Sequence, residues 1–123
     1  MKYRVGIDLG TTHCVLSYRP ADEAEAETTV LGVPQLVLPG QLKPETLLPS
    51  FLYFAHETEG PCALPWDESR AFAVGAYARQ PGVEAPLRVI ASAKSWLCHP
   101  SMDRRAGILP VGAPEDIEKI SPV

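Results

Sequence analysis

The chain has 123 residues, with 11 Lys and Arg against 15 Asp and Glu for a net charge of −4, and 46% of it is apolar. That composition can build one modest core, and the missing basic excess argues against nucleic acid as the main ligand. Thirteen prolines, about twice the usual share, favour short strands and irregular connections over long helices.

Near the N-terminus, Val5, Ile7 and Leu9 run into Gly10-Thr11-Thr12, and Val15, Leu16 and Tyr18 lead away from it. The pattern predicts two antiparallel strands joined by a tight turn, with Gly10 supplying an unusual backbone angle. Asp8 sets a carboxylate in an otherwise apolar strand, where an unpaired charge is costly. A hydrated Mg2+ is its natural partner, because that ion keeps several waters and takes only one or two carboxylates. Gly10 lets the backbone approach a ligand, and the N–H groups of Gly10 to His13 form a concavity suited to phosphate oxygens. Thr11 and Thr12 add hydroxyls without charge. The unit reads as a phosphate clamp; the plainer alternative is an ordinary hairpin whose Asp8 faces solvent.

Beyond the hairpin, the acidic stretch 20–27 reads as an exposed loop or one short helical turn, and as solvated surface. Thr28 to Leu31 predicts a third short strand. Pro34 to Gly40 predicts another, whose prolines suit an edge or strand ends. Residues 47–54 turn at Pro49-Ser50 into the aromatic-rich strand Phe51 to Phe54. His56 to Ser69 is a loop in which Trp66 is expected to pack on the neighbouring strand. Phe72 to Gly75 predicts a strand ending at glycine, and Ala76 to Gln80 a short helix stopped by Pro81-Gly82. Ser92 then suits a helix N-cap, with Pro100 as the stop. Lys94 falls in that helix's first turn, where the helix dipole repels a cation unless its ammonium reaches an anion. The tail, 108–123, is extended and turn-rich, with Ser121 at a cap and Pro122 at a first helical position.

The adjacent pairs His13-Cys14 and Cys98-His99 lack the spacing of structural zinc sites. No spacing supports a Cys nucleophile either, since Cys14 falls within a predicted strand. Three cysteines without a pairing pattern fit a reduced cytosolic protein. The N-terminus lacks an apolar signal core, and no window reaches transmembrane length. A cytoplasmic protein without a membrane partner is expected.

Gly6-Ile7-Asp8-Leu9-Gly10-Thr11-Thr12 is similar to the first phosphate loop of the actin-like ATPases, and most resembles that of the heat shock protein 70 (DnaK-type) chaperones. Leu48 to Phe54 resembles that family's Pro-Ser-aromatic strand, Gly75 to Gln80 its Gly-then-Ala-rich helix, and Ile120-Ser121-Pro122 its lead-in to a returning helix. The resemblance implies an incomplete α/β fold of the actin-like ATPase (ribonuclease H-like) type, a mixed sheet with an N-terminal hairpin. Residues 1–46 would belong to a first lobe, 47–119 to a second, and 120–123 to a truncated helix start, as in a fragment or a separately encoded half. It implies ATP and Mg2+ as cofactors, with Asp8 orienting the metal through water. Gly10, Thr11, Thr12 and His13 would hold the β- and γ-phosphates, and Lys94 would stabilise the transferred phosphoryl group. His13 stands where the family commonly carries Tyr or Asn. The implied partners are unfolded polypeptides, a J-domain co-chaperone and a nucleotide-exchange factor. The family's second phosphate loop, adenosine loops and peptide-binding domain have no counterpart, so the chain alone is expected to be inactive. Its unpartnered segments are expected to leave an apolar face exposed. Two alternatives are a sugar kinase of the same superfamily and a non-catalytic module docking on a complementary chain.

Overall fold

The computed structural model describes residues 2–123. Among them are nine strands: β1 (Tyr3–Leu9), β2 (His13–Pro20), β3 (Thr29–Val30), β4 (Val33–Leu38), β5 (Gln41–Glu45), β6 (Leu48–Pro49), β7 (Phe51–Phe54), β8 (Phe72–Val74) and β9 (Val89–Ala91). One α-helix, α1 (Ala76–Arg79), joins three short 3-10 segments at Gln80–Gly82, Pro86–Arg88 and Ala93–Cys98.

The opening hairpin forms as its alternation predicts. β1 and β2 pair antiparallel from Tyr3↔Pro20 to Leu9↔Cys14 without a slip. β3 and β6 continue the sheet along β2. β4 and β5 make a separate hairpin across Pro39 and Gly40, with a bulge at Leu36–Leu38. In the third sheet β7 is central, flanked by β8 and β9. Its central place suits the aromatic run, of which Tyr53 is buried and Phe51 and Phe54 are half-buried.

The core gathers Leu36, Tyr53, Cys62, Leu64, Ala73, Tyr77 and Ala78 from β4, β7, β8, α1 and the loop before β8. Tyr53 is fully buried and meets Tyr77 edge-on at 6.1 Å, while its hydroxyl donates to Glu59 Oε2 at 2.5 Å. α1 begins at Gly75, whose φ of 91° lies in the left-handed region. A Cβ there would stand 2.4 Å from Gln35 Oε1, so the position needs glycine twice over. Arg88 pairs with Asp116 and donates to the Phe54 carbonyl at 3.3 Å, which ties the tail to β7.

This architecture corrects the expected α/β fold of the actin-like ATPase (ribonuclease H-like) type. Every strand pair is antiparallel, and the only α-helix of the described residues has four residues, so the chain is mainly small antiparallel sheets rather than a mixed sheet. The physical reason is local. Parallel pairing needs a crossover of a dozen or more residues, usually helical, and the prolines leave no such helical run.

Three local expectations also change. Residues 93–98 form a 3-10 segment, and Ser92 makes no side-chain cap but sits at φ 53°, turning the corner out of β9. Trp66 is 61% exposed instead of packed on a strand. No helix starts at Ser121, whose hydroxyl donates to the Val123 carbonyl at 2.8 Å. No helix of the described residues is long and apolar enough to cross a membrane.

Candidate functional site

The β1–β2 turn is held from afar. The Leu9 carbonyl accepts from Lys94 Nζ at 2.6 Å, the Gly10 carbonyl from Ser50 Oγ at 2.9 Å, and the Thr12 carbonyl from Ser50 N–H at 2.8 Å. Cys14 Sγ lies 3.7 Å from Ser50 Oγ. With these carbonyls engaged, the N–H groups of Thr11 and Thr12 donate to nothing among the described residues, and both residues are exposed.

Gly10 earns its place differently from the expectation. Its φ is not in the left-handed region. A Cβ at Gly10 would fall 2.1 Å from the His13 carbonyl oxygen, so the turn folds back on itself too closely for any side chain.

Alternation along a strand sends successive side chains to opposite faces. Arg4, Gly6 and Asp8 therefore share one face of β1, and Tyr3, Val5, Ile7 and Leu9 the other. Asp8 is exposed, with no ion pair among the described residues. Water thus removes the cost that its apolar neighbours suggested. Half-buried His13 lies on Asp8's side of the sheet, beside Pro49 of β6.

On the other face, a cavity of about 440 Å3 opens between the hairpin, the third sheet and the tail. Its walls are mostly apolar, among them Leu9, Cys14, Leu97, Leu109 and Ile120, with Lys94 as the charged member. The structure thus gathers Gly10 and Lys94 at one cavity. Asp8, Thr11, Thr12 and His13 do not line it. Ser50 is the site residue that sequence reasoning missed. The signal was the Pro49-Ser50 turn, which was read only as a strand opening.

No three His, Cys, Asp or Glu side chains of the described residues converge as a metal site. Asp8 is a single open carboxylate, which fits a magnesium ion held through its waters rather than a protein cage. Elsewhere, burial pushes the Tyr53 hydroxyl well above its ordinary range, helped by its bond to Glu59. Burial likewise raises Tyr77 and the Cys62 thiol. The hydrogen bond from Arg88 holds Asp116 low. These groups belong to the core and the tail clasp, away from the turn. Comparison of the chain with protein-family models, with curated proteins and with solved structures finds no match.

Proposed function

We propose that the β1–β2 turn is one wall of a nucleotide-phosphate site, and that the chain acts as the N-terminal part of the ATP-binding unit of a cytoplasmic chaperone resembling heat shock protein 70. The supporting observation is the contact of Lys94 Nζ with the Leu9 carbonyl at 2.6 Å, across 85 residues of sequence. It brings a cation beside a turn whose Thr11 and Thr12 N–H groups stand open, which is the donor set that phosphate oxygens need. Gly10, Thr11, Thr12 and His13 would hold the β- and γ-phosphates, and Asp8 would orient the waters of Mg2+. Lys94 would steady the charge that develops on the transferred phosphoryl group, where positioning and electrostatics carry most of the catalysis. A complementary lobe would supply the opposite wall, and polypeptide clients, a J-domain co-chaperone and an exchange factor would act on the assembled protein.

With one wall only, the chain alone binds nucleotide weakly and turns none over. The test is an amide-shift titration of the isotope-labelled chain with millimolar Mg2+-ATP. Shifts centred on Gly10 to His13 and greatly reduced in Lys94→Ala support the reading. Unmoved turn resonances, or the same shifts in Lys94→Ala, overturn it.

A second reading, a non-catalytic interaction module, draws on the exposed apolar residues of β1, from Val5 at 57% to Leu9 at 63% exposed. A complementary chain that binds without eliciting ATPase activity would favour it.

A further inference from the structure

β1 is an edge strand, paired with β2 and with no other strand of the described residues. Its apolar side stands open: Val5 is 57% exposed, Ile7 62% and Leu9 63%. The Lys2 carbonyl accepts from Ala21 N–H at 2.9 Å, which turns the even-numbered residues of this ladder toward β2. The alternation of an antiparallel pair then turns the N–H and C=O groups of Val5 and Ile7 outward. An edge of this kind, apolar and without a covering loop, is a template for another strand.

The strand's own sequence selects which strand. Laid antiparallel against itself about Gly6, Tyr3-Arg4-Val5-Gly6-Ile7-Asp8-Leu9 sets Arg4 opposite Asp8, Val5 opposite Ile7 and Tyr3 opposite Leu9. Opposite charges facing each other across a ladder attract, and like charges repel. A slip of two residues toward Leu9 would put Arg4 opposite Gly10 and Asp8 opposite Gly6. The reverse slip would trade Arg4–Asp8 for Lys2–Asp8 and leave Arg4 opposite Gly6. Only the Gly6-centred register pairs all seven strand residues and satisfies Arg4.

We infer that β1 docks on β1 of a second copy of this chain, about a two-fold axis at Gly6. The interface is isologous, so each contact occurs twice. Val5 and Ile7 exchange both backbone hydrogen bonds with the copy's Ile7 and Val5. Gly6 faces the copy's Gly6 at a close, non-hydrogen-bonded position, where the lack of a side chain lets the backbones approach. Lys94, already on the Leu9 carbonyl, closes the ladder at its ends. The two apolar stripes run on as one, and the Arg4–Asp8 pairs form on the opposite face. Asp8 and Lys94 enter both readings, but the dimer needs neither nucleotide nor metal, so the inference does not rest on the nucleotide reading.

Sedimentation equilibrium of the full chain tests it, with circular dichroism to check folding. The wild type should dimerise, and Arg4→Asp and Asp8→Arg should each weaken dimerisation by about tenfold or more, since every ion pair becomes a repulsion. An equimolar mixture of the two variants should form a heterodimer, and the double variant Arg4→Asp/Asp8→Arg should dimerise again. If a single variant fails to fold, an isotope-filtered experiment on mixed labelled and unlabelled wild type decides. It should show a contact between the Gly6 Hα protons of the two copies. A wild type that stays monomeric, a dimer indifferent to Arg4→Asp, or a dimer without the Gly6–Gly6 contact overturns the inference.

Discussion

Replacing Gln35 by Leu tests how the second and third sheets are joined. Gln35 is only 3% exposed, the one polar side chain among the buried residues described. Its Nε2 donates to the Leu47 carbonyl at 3.0 Å, and its Oε1 accepts from Ala76 N–H at 2.8 Å. α1 has no side-chain cap of its own, so a glutamine from β4 satisfies its first N–H. Leucine has similar volume but leaves that N–H unpaired in a partly buried place. A buried donor without a partner costs about 1–3 kcal/mol. The Leu47 carbonyl belongs to a half-exposed residue and can turn to water, so it adds little. The net loss should be about 2 kcal/mol, a large share of the roughly 5–15 kcal/mol that holds a domain together. Urea unfolding should show a midpoint lower by about 1 M with an unchanged slope. Gln35→Glu keeps the acceptor for Ala76 but sets a buried charge against the Leu47 carbonyl, so its stability should fall as pH rises and the carboxyl ionises. A Gln35→Leu loss below about 0.5 kcal/mol would refute the claim that this amide clamps β4 to α1.

Two further perturbations probe the turn and the core. Gly10→Ala would press a Cβ against the His13 carbonyl, 2.1 Å away, and backbone cannot yield as a side chain does. Stability should drop by about 1–3 kcal/mol, with amide shifts concentrated at Thr11 to Cys14, read by urea titration and NMR. Raising pH should also unfold the protein, because burial holds the Cys62 thiol and the Tyr53 hydroxyl above their ordinary values of 9.0 and 10.0. The unfolded chain releases these protons first, so the stability they confer is full below about pH 9 and is lost as pH rises. The slope should approach 1.4 kcal/mol per pH unit for each group, at about that size. Denaturant midpoints from pH 8 to 11 measure it, and Tyr53→Phe should flatten the steepest part.

Much of the frame was legible because strand alternation is a local signal. The pairing of β1 with β2 as an antiparallel hairpin, the aromatic strand β7, and the glycine closing β8 all follow from spacing and turn chemistry. β5 was not legible. Lys43 and Pro44 are poor strand formers, and the segment is held by its pairing with β4, including Pro34 opposite Pro44, a tertiary override of propensity. The 92–99 stretch misled for a related reason. Ser92 looks like a cap, but the eight residues between the end of β9 and Pro100 offer too few hydrogen bonds to sustain an α-helix, and six of them settle as 3-10. The overall fold was misread because the resemblance supplied a mixed sheet that these short, proline-bounded strands do not form. The clamps at the turn were only partly legible: Lys94 stood out as a misplaced cation, but that it reaches the Leu9 carbonyl across 85 residues, and Ser50 the Gly10 carbonyl across 40, is set by the tertiary fold and not by local pattern.

If the tip holds a nucleotide as proposed, the two faces of the hairpin also decide what magnesium should do. Asp8 and the Lys94 cavity lie on opposite sides of β1, so a polyphosphate can touch both only by crossing the tip at Thr11 and Thr12. At the tip Asp8 repels a bare phosphate, and that repulsion turns to attraction only when a cation stands between them. A hydrated Mg2+ would act there through its waters, since a metal–oxygen bond plus a hydrogen bond reaches about 5 Å. Nucleotide without magnesium should therefore bind the tip severalfold more weakly than the magnesium complex. In Asp8→Asn the repulsion and the water-held ion vanish together, so binding should become nearly indifferent to magnesium. Isothermal or NMR titrations with and without chelator read this directly. If Asp8→Asn keeps the full magnesium dependence, the metal is held by the nucleotide alone, and Asp8 is a solvent-facing carboxylate with no part in the site.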